Sequence, residues 1–395
     1  MEPDKLLEDL FTAYYDARKN KRNTINALRF EINYETKLFE LYEDLINRKY
    51  EISKSICFVN FEPVQREIFA ADFRDRIIHH LVFNYINPVF DKTFINDSYS
   101  CRKNKGTHYG IKRIRRFISQ CSENYTKDCY IMKLDIEGYF MMMDRGILYD
   151  KIITTLGLKK EFLQDYDLTR YLLQKIIFND PTKNCIIRGR KSDWNGLPEN
   201  KSLFCMDENK GLPIGNLSSQ LFGNIYLNDL DHFIKNDLGI KYYGRYVDDI
   251  MLIHREIDYL LDCRERIKNY LMNKLQLILH PNKFYLQHYS KGVNFLGVYI
   301  KPFCVYIGKR CKTNIYKKLN NYYRVKNSDD KKIFRSQINS YLGIMRHYNT
   351  FNLRKKCLEI FKKNELSSLF YLDNGLNKVV IISSVSAKRV GTHEG

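Results

Sequence analysis

Three aspartates are the residues whose placement asks for chemistry: Asp135, which ends the short apolar run 129–134, and the adjacent pair Asp248-Asp249 much further along the chain. The run Cys129-Tyr-Ile-Met-Lys-Leu134 is β-prone and reads as a buried strand. Residues 241–246 and 250–254 read as two strands joined across Val247-Asp248-Asp249, a hairpin with acids at its tip. Strands disfavour Asp, and clustered carboxylates repel one another. A pair of Mg²⁺ ions, with Mn²⁺ as a substitute, removes that cost, because a hard cation takes carboxylate oxygen and keeps water and substrate phosphates as its other ligands. Two such ions can activate a hydroxyl nucleophile and steady a leaving pyrophosphate in an in-line phosphoryl transfer. Neighbouring acids in a tight turn point in different directions, so both metals are assigned to Asp135 and Asp248, with Asp249 in support. Taken alone, the hairpin tip is also ordinary turn chemistry, since Asp is common there.

The elements that must position these acids follow from periodicity. Leu28, Leu38, Leu41 and Leu45 recur at helical spacing through residues 24–50, residues 56–61 read as a strand closed by Pro63, and residues 66–90 read as a helix ended by Pro88. Residues 181–211 are rich in Pro, Gly, Asn, Lys and Asp and read as an irregular insertion, followed by a turn over 211–216 and a long helix over 217–235. A further strand pair is expected over 293–307, then mainly basic helix up to a polar tail after Ser383. The fold class is mixed α+β, and 395 residues suit two or three packed subdomains.

Composition narrows the partners. Hydrophobic residues make up 44%, enough for a real core, and the net charge of +19 with pI near 9.3 favours a polyanion. No apolar run has the length of a membrane span, and the acidic start Met1-Glu2-Pro3-Asp4 does not suit a signal peptide, so a cytoplasmic protein without a membrane is expected. Ten cysteines include no Cys-x-x-Cys pair, so zinc is not expected. Seven basic residues and no acid fall between Ser98 and Arg116; eleven fall between Lys301 and Arg335 against Asp329 and Asp330, interleaved with tyrosines. The first run suits template contact and the second a helix following a duplex backbone, with a solvated helix face as the bland reading of either.

The surrounding blocks resemble the ordered motifs of reverse transcriptases, and within them the branch found in diversity-generating retroelements. Lys133-Leu-Asp135-Ile-Glu-Gly-Tyr-Phe140 resembles the first catalytic palm motif and Tyr246-Val-Asp248-Asp249 the second. Between them, Ile214-Gly215-Asn-Leu-Ser-Ser219-Gln220 matches the branch signature Ile-Gly-x-x-x-Ser-Gln. Upstream, residues Arg66 to His80 and Asp97 to His108 resemble the fingers blocks; downstream, Leu279 to Lys283 and Asn294 to Gly297 resemble the last palm motifs. The resemblance runs over roughly residues 25–305 in the family's order.

The resemblance implies roles. Arg66 would hold the incoming triphosphate, Phe140 would act as the steric gate against a ribose 2′-hydroxyl, and Lys283 would protonate pyrophosphate. Ile136, Ile214, Gly215 and Gln220 would line the nucleotide site, with Ile136 also at the metals. Arg102 and Lys105 would touch template, and Phe295-Leu296-Gly297 would form the primer grip. As bare sequence, Arg66 is also a surface ion pair, Phe140 core, Lys283 an exposed lysine and Phe295 part of a plain hairpin. His79-His80 diverge on a helix and suit packing better than metal. Many reverse transcriptases carry glutamine where Ile214 stands; losing its hydrogen bond forfeits about 1 kcal/mol of polar discrimination. In the family this accompanies error-prone copying of template adenines. Two departures stand out: residues 62–65 lack a basic residue before Arg66, and Glu137 stands where relatives often carry a basic or neutral one.

The implied architecture is a right hand: N-terminal helices and fingers over 1–130, palm over 131–144 and 211–302, an insertion over 145–210, a thumb over 303–372 and a flexible tail over 373–395. No appended RNase H, endonuclease or protease domain is expected. The implied partners are a template-repeat RNA, the RNA/DNA hybrid, deoxynucleoside triphosphates and a basic, oligomeric accessory variability protein in a bacterial host cell. Retron, group II intron and antiviral reverse transcriptases are rivals, as is a noncatalytic RNA-binding scaffold.

Overall fold

A computed structural model describes residues 3–382, except 20, 23, 63, 322–324, 326 and 365. By contact the chain divides into two units: Met1–Phe117 with Tyr130–Leu286, and Ile118–Cys129 with Gln287–Gly395.

The first unit opens with three helices, α1 (Pro3–Arg18), α2 (Ile25–Glu31) and α3 (Tyr34–Ile46). Leu38, Leu41 and Leu45 bury the inner face of α3, whereas Leu28 is 48% exposed and Ala27 and Phe30 face inward on α2. Strands β1 (Ser55–Asn60) and β2 (Arg66–Ala70) follow as an antiparallel hairpin. The single helix expected over 66–90 is corrected here: only α4 (Phe73–Phe90) is helical, capped by the Asp72 carboxylate, which accepts from the Arg74 N–H. Local alternation explains the strand, since Glu67 and Phe69 point inward while Arg66 and Ile68 do not. Pro88 lies inside the last turn of α4, which runs on to Phe90.

Then come α5 (Thr107–Cys121), β3 (Tyr130–Leu134), α6 (Tyr139–Met142), α7 (Arg145–Gly157), α8 (Tyr166–Phe178) and β4 (Cys185–Ile187). After the insertion follow α9 (Leu217–Tyr226), α10 (Asn228–His232), β5 (Tyr242–Tyr246), β6 (Asp249–His254), α11 (Ile257–Leu275) and β7 (Tyr285–His288). The helix expected over 217–235 is thus divided at Leu227, and a π-helical turn over Phe233–Asp237 ends it. A four-stranded sheet in the order β5-β6-β3-β7 forms the floor, with β3 and β5 both antiparallel to β6. Helix α9 packs against α4 and α7 and is buried from Ser218 to Tyr226 apart from Gln220, while α11 presents Leu260, Cys263, Ile267, Leu271 and Leu275 at helical spacing.

The insertion has a firm anchor. Strand β4 runs parallel to β1, and Glu67, fully buried on β2, accepts from the Trp194 indole (2.6 Å), the Ser202 hydroxyl (2.7 Å) and the Leu203 N–H (2.6 Å). Trp194 is the chain's one tryptophan.

In the second unit, β8 (Val293–Phe295), β9 (Val298–Lys301) and β10 (Cys304–Ile307) make a three-stranded meander where a strand pair was expected. Helices α12 (Lys309–Asn320), α13 (Ser328–Met345) and α14 (Phe351–Lys363) enclose a core of Ile315, Leu319, Phe334, Ile338, Leu342 and Phe361. The tail expected to be flexible from residue 373 needs correcting. Strand β11 (Phe370–Leu372) pairs with β12 (Val379–Ile381), and Val379 is fully buried in that core. Residues 383–395 lie outside the described residues.

Glu67→Ala would strand three buried donors, so it is expected to destabilise the protein by about 2–3 kcal/mol. The fluorescence of Trp194 reports it directly: a red-shifted native spectrum is expected, and an unchanged one would contradict this anchor.

Candidate active site

The register of the sheet brings the acids together. Leu134 pairs with Ile250, so Asp135 leaves β3 beside the first residues of β6. Tyr246 pairs with Asp249, which leaves Val247 and Asp248 as a two-residue loop. Val247 has φ 56°, a left-handed conformation that a β-branched residue adopts at a cost of about 1–3 kcal/mol. A positive φ at the first loop position matches the twist of the flanking strands.

Charge at the site is uneven. Lys283 Nζ lies 2.5 Å from Asp135 Oδ2, and Lys133 Nζ lies 2.6 Å from Asp249 Oδ1. Asp248, partly buried, has its carboxyl pushed up to about 6, first by burial and then by the charges of Asp135 and Asp249. The Asp248 backbone N–H and the Arg66 guanidinium pull the other way, so Arg66 acts on this site across the fold. Among the described residues, no three His, Cys, Asp or Glu side chains gather closely enough to close on one ion. Lysines engage the two outer aspartates instead, and Asp249 is drawn to Lys133 rather than toward its neighbours.

This donor set fits a hard divalent cation. Asp135 and Asp248 offer carboxylate oxygens, and the raised Asp248 carboxyl marks where added positive charge would stabilise most. Ile136 is buried and bridges to Leu279 through bonds made by its neighbours, Glu137 N–H to Ile278 carbonyl and His280 N–H to Asp135 carbonyl. Its side chain belongs to the core, so only its main chain could serve a metal or nucleotide.

The other expected residues divide into two groups. Phe140 is partly buried, and a Cβ on Gly223 of α9 would stand 3.3 Å from its ring. Ile214 packs against the apolar cluster of Cys57, Phe69, Met141 and Leu203, while its carbonyl accepts from the Phe69 N–H (2.8 Å). Gly215 has φ 133° and passes so close to β2 that a Cβ would lie 2.8 Å from the Phe69 carbonyl oxygen. Gln220 is exposed and accepts from the Cys101 thiol. Phe295 is buried in the second unit, and Leu296 and Gly297, both with positive φ, form the tight turn from β8 to β9.

Arg102 and Lys105, expected to touch template, make hydrogen bonds within their own loop. Arg102 donates to the Asp91 carboxylate and to the carbonyls of Asp91, Ile95 and Ser98, with its side chain only 9% exposed, so its fork is engaged inside the loop. Lys105 likewise donates to the carbonyl and side chain of Asn96 and lies over the Tyr109 ring. Both staple the loop. The exposed positive charge of that run sits at Lys103, Lys112, Arg115 and Arg116. His79 donates to or accepts from Ser218 Oγ (2.7 Å) in the interior, and burial drives its ring down to about 3, so it is neutral packing. Sequence reasoning missed Lys133 as the partner of Asp249, and it missed the buried Arg245–Asp231 pair; the only signal was a charged residue within a run otherwise read as strand.

Burial and like charge make ionised Asp248 a cost to the metal-free fold. The folded carboxyl binds its proton more tightly than the unfolded one, so this cost is absent below pH 3.8 and complete above pH 6. Asp248→Asn should therefore stabilise the protein in chelator by about 1–3 kcal/mol at pH 7 and by nothing at pH 3.5. Paired denaturant melts at the two pH values test this, and an equal effect at both would refute it.

Comparison with known proteins agrees with this geometry. The family model described as reverse transcriptase (RNA-dependent DNA polymerase) matches residues 65–300, well over half of the chain. Protein YkfC of Escherichia coli (strain K12) is 21% identical over 303 residues, covering 69% of this chain and 71% of YkfC. Among solved structures, a telomerase from Candida albicans, in complex with the TWJ fragment of telomeric RNA, gives a TM-score of 0.48 at 9% identity. That likeness covers 80% of this chain, which spans about half (55%) of the telomerase chain. An apo telomerase from Candida tropicalis gives 0.45 at 14% identity, covering 68% of this chain and 59% of that one. With its antiparallel sheets and mixed α+β architecture, a right-hand polymerase fold, the chain belongs to the reverse transcriptase family of RNA-directed DNA polymerases.

Proposed function

We propose that the chain extends a primer 3′ end with deoxynucleoside triphosphates on an RNA template, and that it does so as the reverse transcriptase of a diversity-generating retroelement. The observation that carries the catalytic part is the Asp248 carboxyl, held at a hairpin tip between two other acids with Arg66 acting on it from the fingers hairpin. Bound there, a pair of Mg²⁺ ions would acidify the primer hydroxyl and neutralise the departing pyrophosphate.

The chain's own residues do the rest. Asp135 and Asp248 would hold the ions, and Asp249 acts through Lys133 to keep the hairpin tip balanced. Arg66, exposed at the start of β2, takes triphosphate oxygens with its guanidinium fork. Lys283 is 55% exposed with its ammonium on Asp135, and that ammonium would protonate pyrophosphate. Phe140, seated on Gly223, offers a ring edge beneath the sugar. Fingers, palm and thumb are assigned to residues 1–130, to 131–144 with 211–302, and to 303–372. The exposed basic face of α5 takes the template, in place of Arg102 and Lys105.

The retroelement assignment rests on the block Ile214-Gly215-Asn-Leu-Ser-Ser219-Gln220. Ile214 has no hydrogen-bonding side-chain atom and leans on an apolar cluster, which supports loose discrimination at the nascent pair. A template-repeat RNA and an accessory protein of basic character are the proposed partners. No helix among the described residues is long and apolar enough to cross a membrane.

Primer extension on a defined RNA with purified protein is the direct experiment. Asp135→Asn and Asp248→Asn should each lower single-nucleotide incorporation by about 10³-fold or more, and full activity in either would defeat the metal assignment. Sequencing of cDNA should show Ile214→Gln copying template adenine several-fold more accurately. Equal error spectra would discard that role for Ile214.

A further inference from the structure

The metal-binding loop is held by side chains that no motif assigns. Val247 sits with φ 56° between Tyr246 and Asp248, and both of its main-chain polar groups are taken up. Its N–H donates to the Ser100 hydroxyl (3.3 Å), which in turn donates to Asn224 Oδ1 (3.0 Å), while Asn224 Nδ2 donates to the Ser100 carbonyl (2.8 Å). Its carbonyl accepts from Arg245 Nη1 (2.9 Å).

Arg245 is itself immobilised. Its other nitrogens grip Asp231 in a two-pronged ion pair (2.7 and 2.6 Å) with neither side chain exposed, and Tyr243 donates to the same carboxylate. Its main chain is sandwiched, the N–H donating to the Asp97 carbonyl and the carbonyl accepting from the Tyr99 N–H. That approach needs Gly244, where a Cβ would lie 2.2 Å from the Tyr99 hydroxyl. Ser100, held by Asn224 of α9, and Arg245, held by Asp231 of α10, therefore both bond Val247, the immediate neighbour of Asp248.

We infer that Ser100 and Arg245 are positioning residues for the polymerase reaction: together they clamp Val247 in its left-handed conformation and so set the Asp248 carboxylate beside Asp135. A β-branched residue does not rest there unaided, and a relaxed Val247 would swing the Asp248 carbonyl-to-Cβ direction away from β3. A buried ion pair needs no aim at a loop carbonyl to stabilise a core; here one nitrogen of its fork is directed at the strained residue. The inference rests on the reading of Asp248 as a metal ligand.

The test uses the full-length protein with an RNA template and DNA primer, and it has two readouts: Mn²⁺ affinity by electron paramagnetic resonance of the free ion, and kcat and KM for single-nucleotide extension. Ser100→Ala should raise the Mn²⁺ Kd and lower kcat, each roughly tenfold, with nucleotide KM unchanged. Val247→Gly, which takes a positive φ without strain, should restore most of both losses when added to Ser100→Ala. Arg245→Met combined with Asp231→Leu removes both buried charges together, which preserves the core, and should weaken Mn²⁺ binding to the same degree. Wild-type Mn²⁺ affinity in Ser100→Ala or in the Arg245/Asp231 double variant would overturn the inference, as would failure of Val247→Gly to rescue. Asp248→Asn separates the two levels of the account: unweakened Mn²⁺ binding in that variant would overturn the metal reading itself, whereas weakened binding there beside an unaffected Ser100→Ala would overturn the clamp alone.

Discussion

Repulsion among three carboxylates at one end of a sheet is the constraint to which the rest of this molecule answers. Strand register brings Asp135, Asp248 and Asp249 to one end of the sheet, and nothing in a β-sheet favours that placement. The chain relieves the repulsion by pairing Lys283 with Asp135 and Lys133 with Asp249, and it leaves Asp248 with a carboxyl reluctant to ionise. Under the proposed metal reading, divalent cations would take over this neutralisation from the lysines, with the more exposed Lys283 giving way first. Stability is thereby yielded for chemistry, in keeping with the strained Val247 at the same tip.

The frame around the acids explains why so much of the chain is rigid. Helix α9 is buried along nearly its whole length and presents Gly223 to Phe140 and Asn224 to Ser100. The turn at Ile214-Gly215 is tied to β2 by a main-chain hydrogen bond and a contact that tolerates no side chain. Glu67 then ties the β1–β2 hairpin to the insertion. Arg66, Ile214, Phe140 and Asp248 thus stand on elements whose relative placement within the first unit is set by packed groups rather than by loops.

The legible parts of this structure were those written in local pattern. Strands β3, β5 and β6 follow from short β-prone runs and the spacing on α3 from helical period, and the acids at the hairpin tip were visible because Asp is a poor strand residue. Residues 66–70 were misread as helix because Glu-Ile-Phe-Ala fits either period, and only pairing with β1 decides it. Charge in a sequence does not reveal its partner: Asp91 engages Arg102 and the Asn96 carbonyl engages Lys105, neither of which the basic run disclosed. The same limit hid Arg245–Asp231, Lys133–Asp249 and the threefold donation to Glu67, all of which depend on tertiary approach. The tail strand β12 escaped notice because three apolar residues give no period at all.

The central claim is that Asp135 and Asp248 together form a divalent metal site. Anomalous diffraction from crystals grown with primer, RNA template, a non-hydrolysable deoxynucleotide and Mn²⁺ tests it most directly. Manganese peaks bonded to oxygens of both side chains are expected, with the Lys283 ammonium displaced from Asp135. Manganese bound elsewhere, with Lys283 still seated on Asp135, would contradict it.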